Sequence, residues 1–322
     1  MYIVTGGAGF IGSNLVRALN RRGIDDIVIV DDLEHGEKHL NLNSLAFSDI
    51  VDVRDTALFI EGIDADDVDA VLHQGACSDT TVRDGRFMMA ANFEASKAWF
   101  QLAAGQCPFL YASSAAIYGD GAAGFREEAA CEWPLNVYGF SKLAFDNWVR
   151  ARISEVKTPV VGLRYFNVYG PQENHKGRMA SVVFKLFQQA SRGEDMTVFE
   201  GSKKFLRDFV YVDDVVDVNL HFLDSKNAHG IFNCGSGRAE SFLELAEHTA
   251  SHFDKAKIRE IPFPADLGGK YQAFTRADLT GLRKAGYQRE FTSLGEGVRR
   301  YVEVLKSTGG FFRGPAKTGT TK

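Results

Sequence analysis

The most constraining feature of the chain lies at its start, where IVTGGAGFIGSNLV joins an apolar run to a helical pattern. Gly6, Gly9 and Gly12 are three residues apart, and Gly7, Gly9 and Gly12 also satisfy G-x-G-x-x-G. Glycines at this spacing allow a tight turn, close approach of the backbone to a pyrophosphate and close helix–strand packing. Asp31 follows at the end of the next apolar run, where dinucleotide-binding folds carry an acidic residue. The pattern predicts a bound nucleotide at the first strand–helix turn.

Short apolar runs alternate with segments of helical periodicity as far as about residue 165. The runs YIVT, DIVIV, DAVLHQG, PFLYASS and TPVVGLRYF are apolar on both faces, which is typical of buried parallel strands. The alternation predicts the α/β class, with a doubly wound (Rossmann) parallel sheet and a smaller C-terminal α/β substrate lobe. We place the sheet domain at residues 1–168, with later segments returning to it, and mainly the substrate lobe at 169–306. Residues 307–322 are rich in Gly, Thr and Lys and are predicted to be a disordered tail.

Composition and charge restrict the class of partner. The chain has 37 Lys plus Arg against 42 Asp plus Glu, a net charge of −5, so no general footprint for nucleic acid is expected. No apolar run reaches the roughly 18 residues of a membrane span, and MYIVTGG enters a strand pattern without a signal peptide. Cys77, Cys107, Cys131 and Cys234 form no C-x-x-C pair, which favours reduced thiols. We therefore expect a cytoplasmic protein that binds neither nucleic acid nor membrane, and we assign no metal ligands.

A serine, a tyrosine and a lysine are spaced as an acid–base set. FLYASSAAIYG ends a predicted strand with Ser113 and Ser114, at the edge where open α/β sheets bind ligands. NVYGFSKLAFDNWV then begins a helix with Tyr138 and Lys142 at i and i+4, on one face. A tyrosine of ordinary pKa, about 10, is a poor base, and an adjacent ammonium group with a nicotinamide ring lowers that pKa. Ser114 would hydrogen-bond the substrate oxygen, so the set predicts proton transfer beside a nicotinamide cofactor.

These motifs resemble the extended short-chain dehydrogenase/reductase superfamily, which acts mostly on nucleotide-activated sugars. TGGAGFIG, the Ser-Tyr-Lys set and RDFVYVDDVVD carry the likeness. It implies that Arg207 contacts the substrate diphosphate and that Asp213 and Asp214 cap the next helix. Superfamily members that dehydrate hexoses carry an Asp-Glu pair where this chain has Ala115 and Ala116. Dehydration would therefore lack its acid and base.

Further stretches narrow the resemblance to one family. LRYFNVYGPQENHKGRMASVVFKLF, FEGSKKFLRDF, GSGRAESF and GKYQAFTRADL closely resemble the ADP-L-glycero-D-manno-heptose 6-epimerases of lipopolysaccharide inner-core synthesis. The resemblance implies oxidation at carbon 6 of ADP-D-glycero-D-manno-heptose by bound NADP, then return of the hydride to the opposite face of the carbonyl. The hydroxyl oxygen differs in position between the two epimers, whereas proton transfer requires about hydrogen-bond distance. Tyr138 is thus implied as the base for one orientation and Lys176 for the other. Without the resemblance, Lys176 reads as an exposed loop lysine or a phosphate contact.

Contacts are carried over by position from the same family. Those implied for the cofactor are Gly6, Gly9, Phe10, Ile11, Gly12, Asp31, Asp32, Lys38, Gln74, Gly75, Ala76, Cys77, Ser78, Asn92, Lys142, Val168 and Lys176. Those implied for the ADP-sugar are Ser114, Asn167, Arg178, Lys185, Phe199, Glu200, Gly201, Ser202, Arg207 and Tyr271. The chain departs from the family pattern at Gln74, Arg178 and Lys185, where the family has an acidic residue, serine and often histidine.

The residues by themselves leave NAD and NADP open. Asp31 would hold ribose hydroxyls and favour NAD, whereas Lys38 or Arg54 would accept a 2′-phosphate. The resemblance implies one tightly bound NADP per subunit with Lys38 as a phosphate contact, NAD being the alternative. It also implies a homo-oligomer, with a pentamer as the candidate assembly. The rival functions are another epimerase or reductase of UDP- or GDP-sugars and a non-catalytic NADP-binding sensor. The intact Tyr138 and Lys142 argue against the sensor.

Overall fold

The computed structural model describes residues 1–263 and 272–314, so Tyr271 and the last eight residues of the predicted tail lie outside it. Its strands are β1 (Tyr2–Thr5), β2 (Ile27–Asp31), β3 (Asp49–Asp52), β4 (Ala70–His73), β5 (Phe109–Ser114), β6 (Val160–Tyr165), β7 (Asn167–Tyr169), β8 (Met196–Phe199), β9 (Leu206–Arg207), β10 (Phe209–Tyr211), β11 (His229–Cys234), β12 (Glu240–Ser241) and β13 (Ile258–Ile261). Its α-helices are α1 (Phe10–Arg21), α2 (Thr56–Gly62), α3 (Gly85–Met89), α4 (Ala95–Ala103), α5 (Val137–Arg150), α6 (Val182–Ser191), α7 (Val212–Leu223), α8 (Phe242–Ala250), α9 (Thr280–Lys284) and α10 (Leu294–Thr308). A π-helical turn, Ala90–Glu94, joins α3 to α4.

One seven-stranded sheet has the order β11-β6-β5-β4-β1-β2-β3, and each neighbouring pair is parallel. All five predicted apolar runs form strands of this sheet. Their side chains are buried on both faces, as Ile3, Val4, Ile29, Leu72 and Leu110 illustrate. The chain leaves β1 for β2 on one side and reaches β4 on the other, which creates a crevice at the carboxyl ends of β1 and β4. The predicted doubly wound parallel sheet is confirmed.

A second apolar core lies in the C-terminal part of the chain. It is formed by α6, α8 and α10 with β8 and β13, and includes Val183, Leu186, Leu245 and Val298. Strand β7 pairs with β10, and β9 pairs with β12. Helix α7 packs on α1, and β11 pairs with β6, so later segments contact the large sheet domain. The exact division at residue 168 remains a prediction.

The beginning of the tail differs from its prediction. Helix α10 continues to Thr308 and ends at Gly309, which has a φ of +71° in the left-handed region that favours glycine. The ring of Phe312 then lies against α1, with its centroid 3.4 Å from the guanidinium carbon of Arg17. The prediction of disorder is therefore wrong for residues 307–314. The first two of these residues end α10, and the ring of Phe312 packs the following segment against α1.

The described residues, 1–263 and 272–314, contain no helix long and apolar enough to cross a membrane. The same residues contain no group of three or more His, Cys, Asp or Glu side chains placed to hold a metal ion. All four cysteines are free thiols, as their spacing predicted.

Candidate active site

The glycine turn lies between β1 and α1, at the crevice of the sheet. Gly6 has a φ of +65°, and a Cβ atom there would lie 2.7 Å from the backbone nitrogen of Gly75. A Cβ atom on Gly12 would lie 2.1 Å from the carbonyl oxygen of Gly6. Side chains are therefore excluded where turn, helix and the loop after β4 meet. Helix α1 begins at Phe10, so its N-terminus and free N–H groups favour an anionic group at this turn.

Asp31 ends β2 and is buried beside the glycine turn. One carboxylate oxygen accepts a hydrogen bond from the N–H of Ala8 at 2.8 Å, and the other accepts one from the ammonium group of Lys38 at 2.9 Å. Lys38 also lies 3.1 Å from Oδ1 of Asp32. Burial opposes the charge of Lys38, but the two carboxylates outweigh it and raise its pKa above the ordinary value. The predicted ribose end of the site thus carries two carboxylates bridged by one ammonium group.

The loop after β4 is held against both the glycine turn and the π-helical turn. The N–H of Gln74 donates to the carbonyl of Thr5 at 3.0 Å. Asn92, buried in the π-helical turn, accepts from the N–H of Cys77 at 2.8 Å and donates to its carbonyl at 3.0 Å. Such π-helical turns are frequent at functional sites, and this one places Asn92 opposite the loop. Within the described residues, Nε2 of Gln74 is buried without a hydrogen-bond partner.

The structure brings the predicted serine, tyrosine and lysine together. Asn136 caps α5 with its side chain, which places Tyr138 and Lys142 on the first turns of the helix. Burial raises the pKa of Tyr138, and a hydrogen bond with Ser114 lowers it in part. The ammonium group of Lys142 is buried and donates to the carbonyl of Ala112 at 2.9 Å. Burial lowers the pKa of Lys142 to about 8.

Lys176 lies in a 3-10 helical segment, Asn174–Met179, and only 23% of its side chain is exposed. Its ammonium nitrogen lies 4.9 Å from the ring centroid of Phe10 and 3.9 Å from Oε2 of Glu173. Burial lowers the pKa of Lys176, and the carboxylate of Glu173 opposes this effect. The side chain is therefore not that of an exposed loop lysine. It faces the residue at which α1 begins, beside the predicted cofactor turn.

Two predicted substrate residues instead make contacts within the protein. The guanidinium group of Arg178 lies 2.7 Å from Oδ2 of Asp79 and also donates to the hydroxyl of Thr81. Lys185 donates to the carbonyl of Arg178 at 2.7 Å. These contacts connect the loop of Lys176 to the loop after β4. Arg178 and Lys185, two of the residues at which the chain departs from the family pattern, thus both make contacts that hold these loops.

The remaining substrate residues lie in or near the C-terminal lobe. Phe199 ends β8, and Glu200, Gly201 and Ser202 form the turn after it. The hydroxyl of Ser202 is buried without a hydrogen-bond partner within the described residues. Asn167 and Val168 lie in β7, next to β10. Tyr271 lies outside the described residues.

Arg207 is buried in β9, and its guanidinium group donates to the carbonyl of Leu206 at 3.0 Å. The next residue, Asp208, was missed by the sequence reading. Its carboxylate accepts N–H groups of Ser236, Gly237 and Ala277 at 2.6–2.9 Å. Burial raises the pKa of Asp208 to about 6 against these hydrogen bonds. Asp208 thereby fixes the backbone next to Arg207. The sequence feature that could have indicated this role is an acidic residue directly before the apolar residues FVY.

The predicted capping role of Asp213 and Asp214 is wrong. Both lie in the first turn of α7, but this helix has no side-chain cap at its N-terminus. Asp214 instead accepts hydrogen bonds from the N–H and hydroxyl of Thr292, both at 2.9 Å. It therefore connects α7 to the segment before α10.

A buried ionic network behind α5 was also not predicted. Arg164, in β6, is fully buried and donates to Oδ2 of Asp146 at 2.9 Å and to Oε1 of Glu132 at 2.5 Å. Asp146 lies one turn after Lys142 in α5 and accepts from the hydroxyl of Ser113 in β5 at 3.0 Å. The network thus fixes α5, with its catalytic candidates, against the strand that carries Ser114. The sequence feature that could have indicated this network is the arginine within the apolar run VVGLRYF, because a buried charge requires a partner.

Residues 2–235 of the chain match the model of the NAD dependent epimerase/dehydratase family. The chain is 52% identical over 316 residues to ADP-L-glycero-D-manno-heptose-6-epimerase of Brachyspira hyodysenteriae, and the match covers 97% of this chain and 99% of that protein. The motif resemblance found in the sequence is therefore confirmed over nearly the whole chain.

Solved structures agree with this assignment. ADP-L-glycero-D-manno-heptose-6-epimerase of Helicobacter pylori has a TM-score of 0.81 and 28% identity, and the match covers 95% of this chain and 96% of that chain. UDP-glucose 4-epimerase of Thermotoga maritima, solved with UDP-glucose, has a TM-score of 0.79 and 28% identity, with coverages of 95% and 99%. Fold similarity alone thus does not separate the two kinds of epimerase, whereas the relative with 52% sequence identity is of the heptose kind. The chain belongs to the NAD dependent epimerase/dehydratase family and groups within it with the ADP-L-glycero-D-manno-heptose-6-epimerases.

Proposed function

We propose that the chain converts ADP-D-glycero-D-manno-heptose to ADP-L-glycero-D-manno-heptose by epimerisation at carbon 6, in the synthesis of lipopolysaccharide inner-core heptose precursors. The observation that carries this proposal is the 52% identity to an enzyme of that name over almost the full length of both chains. The assembled Ser114, Tyr138 and Lys142 support catalysis rather than simple cofactor binding.

The residues at the crevice fit a dinucleotide cofactor. The glycine turn has no room for side chains, and the amide nitrogen of Gln74, which has no hydrogen-bond partner among residues 1–263 and 272–314, is a donor beside it. NADP bound there would accept a hydride from carbon 6 and return it. We assign the 2′-phosphate contact to Lys38, whose ammonium group already compensates the charge of Asp31. We prefer Lys38 to Arg54 because only 13% of the Lys38 side chain is exposed, against 76% of the Arg54 side chain. NAD is the alternative cofactor.

Tyr138 serves as the acid–base group for one epimer. Its phenolate takes the proton of the carbon 6 hydroxyl, while Ser114 hydrogen-bonds the same oxygen and orients it. The buried position of Tyr138 disfavours the phenolate, so a compensating positive charge is required. The ammonium group of Lys142, one helical turn away, supplies that charge from within the chain.

Lys176 serves as the acid–base group for the other epimer. Its burial lowers its pKa, which brings the neutral amine closer to the working pH. It approaches the cofactor turn from the loop after β7, whereas Tyr138 approaches from α5. Two groups on separate elements are suited to two positions of the hydroxyl oxygen. A single base on one helix would be aligned with one of them.

The assay for this function is incubation of the purified protein with ADP-D-glycero-D-manno-heptose, followed by chromatographic separation of the two epimers. Interconversion is the expected result. Activity on UDP-galactose without activity on the ADP-heptose would favour another sugar-nucleotide epimerase. Binding of NADP without turnover of either would favour a sensor. Homo-oligomer formation and a cytoplasmic location remain predictions, testable by light scattering and cell fractionation.

A further inference from the structure

The segment Gly309–Phe312, which we call the strap, lies against the loop that carries Lys176. Its first two carbonyl oxygens accept hydrogen bonds from the side chain of Asn174 and from the N–H of Gln172, both at 2.9 Å. In return, the N–H of Phe312 donates to the side-chain oxygen of Gln172 at 3.2 Å. The strap is thus hydrogen-bonded to the start of the lysine loop through both backbone and side-chain atoms.

Gln172 is held from both sides. It is fully buried and has a φ of +79°, a conformation that non-glycine residues keep only where their surroundings impose it. Its side-chain nitrogen donates to the carbonyl of Asn41 at 2.9 Å, and Asn41 donates back to its carbonyl at 3.1 Å. Asn41 also donates to the carbonyl of Ala8 in the glycine turn at 2.9 Å. Gln172 is therefore clamped between the strap and the cofactor turn, four residues before Lys176.

The far end of the strap is anchored on α1. The guanidinium carbon of Arg17 lies 3.4 Å from the ring centroid of Phe312. Arg17 follows Phe10 by seven residues, which places both on the same face of the helix. The ring of Phe10 is the one that Lys176 faces at 4.9 Å. One face of α1 thus supports both the strap and the lysine.

We propose that the strap positions Lys176 for the second proton transfer. The strap closes over the loop from Gln172 to Lys176 and holds the ammonium group at the ring of Phe10. This inference rests on the proposed role of Lys176 as a base. Gln172 and Phe312 act through the lysine and are positioning residues. A displacement of about 1 Å at a reacting group can cost about 100-fold in rate, so a loosened loop would slow epimerisation.

The first test is Phe312→Ala in the full-length holoenzyme. We expect epimerase kcat to fall on the order of 10- to 100-fold. Phe312→Tyr keeps the aromatic face over Arg17 and should restore most of the activity. Arg313→Ala changes an exposed residue of the same segment and should leave kcat unchanged. If Phe312→Ala does not fold, Arg17→Gln removes the stacking partner and the same measurements apply.

The second test separates positioning from general loosening of the fold. Acylation of individual lysines with an amine-selective reagent is followed across pH by peptide mass spectrometry in each variant. Loss of the strap should shift the midpoint of Lys176 upward, toward the ordinary lysine pKa of about 10.4. The midpoint of Lys142, buried elsewhere in the site, should not move.

A fall in kcat together with a shift at Lys176 alone supports the proposal. An unchanged midpoint of Lys176, or equal shifts of Lys176 and Lys142, overturns it. If Lys176 alone shifts while kcat is unchanged, the strap does position the lysine, and its assignment as a base is what fails.

Discussion

The ammonium group of Lys176 lies 4.9 Å from the ring centroid of Phe10, the residue at which α1 leaves the glycine turn. A cation over an aromatic face at this distance is attracted to it, most strongly when water is excluded. The contact therefore keeps a buried lysine of lowered pKa beside the predicted cofactor. The contact fixes the position of the group that we propose as the second base, in a site that also contains Tyr138.

Cofactor retention is the first prediction. In the proposed reaction the hydride returns to the substrate that lost it, so turnover needs no exchange of cofactor. Purified protein should therefore release a nicotinamide dinucleotide on denaturation, detected by its absorbance. An apo preparation that consumes fresh cofactor in proportion to product would contradict epimerisation.

Lys38→Ala tests the choice between NADP and NAD. The substitution removes the proposed charge-assisted contact to the 2′-phosphate and leaves the carboxylates of Asp31 and Asp32 without the ammonium group between them. We expect binding of NADP to weaken by roughly 1.5–3 kcal/mol, with a smaller loss for NAD. Calorimetric titration of both cofactors measures the difference. Arg54→Ala is the matched comparison, and equal losses of NADP and NAD in Lys38→Ala would mean that Lys38 does not read the phosphate.

Lys142→Met should stabilise the cofactor-free fold while removing activity. In the folded state the pKa of Lys142 is about 8, below the ordinary value. Between that pH and about 10.4 the unfolded chain binds more protons, so stability rises with pH across this window. The cost of the buried ammonium group is therefore complete below pH 8 and absent above about 10.4.

At pH 7, Lys142→Met should raise the free energy of unfolding by at most about 3 kcal/mol. Turnover should fall by about 10²–10⁴-fold, because the Tyr138 phenolate loses its compensating charge. Urea unfolding at pH 7 and pH 10.5 measures the first effect, and exposed Lys157→Met is the control. Equal destabilisation at both pH values would show that the ammonium group is not costly in the fold.

Asp146→Ala should destabilise the protein strongly. The substitution leaves the buried guanidinium group of Arg164 with Glu132 as its remaining carboxylate partner. Breaking a buried ion pair costs about 3–5 kcal/mol. Glu303→Ala disrupts the exposed pair with Arg299 and should cost less than about 1 kcal/mol. Urea unfolding of both variants makes the comparison. Similar small losses would mean that the network contributes little to stability.

Local patterns in the sequence predicted the large sheet and the first part of the site. The glycine spacing predicted the tight turn between β1 and α1, and the strand-end Ser114 with the i, i+4 pair Tyr138 and Lys142 predicted a set of side chains that the structure brings together. Each signal is local, because a turn, a strand end or one helix face determines its own geometry. Lys176 needed the family resemblance, since nothing in its neighbouring residues indicates burial.

Contacts between distant segments were the part that local patterns did not predict. Gln172 pairs with Asn41 across 131 residues, and Arg17 stacks on Phe312 at the far end of the chain. The stretch GGFF, residues 309–312, has no periodicity, and sequence patterns of this kind predict disorder. In the structure Gly309 ends α10 and directs the following residues back toward α1. Periodicity reports the face of an element and gives no information about where a short irregular segment docks.

The two-base account is tested most directly with single and double variants of Tyr138 and Lys176. Both Tyr138→Phe and Lys176→Met should nearly abolish epimerisation, because every turnover uses both positions. A simplified analogue with an aldehyde at carbon 6 can instead disproportionate, one hydrated molecule being oxidised to the acid and another reduced to the alcohol. This reaction involves no change of stereochemistry, so one base suffices.

With that analogue as substrate, at least one of the variants Tyr138→Phe and Lys176→Met should keep substantial disproportionation activity. The double variant should lose about 10²–10⁴-fold of that activity. Epimerisation and disproportionation rates are compared for the same protein preparations. The contradicting result is a Lys176→Met enzyme that still epimerises with a raised KM and a preserved kcat. Lys176 would then be a binding residue, and the chain would have a single acid–base group at Tyr138.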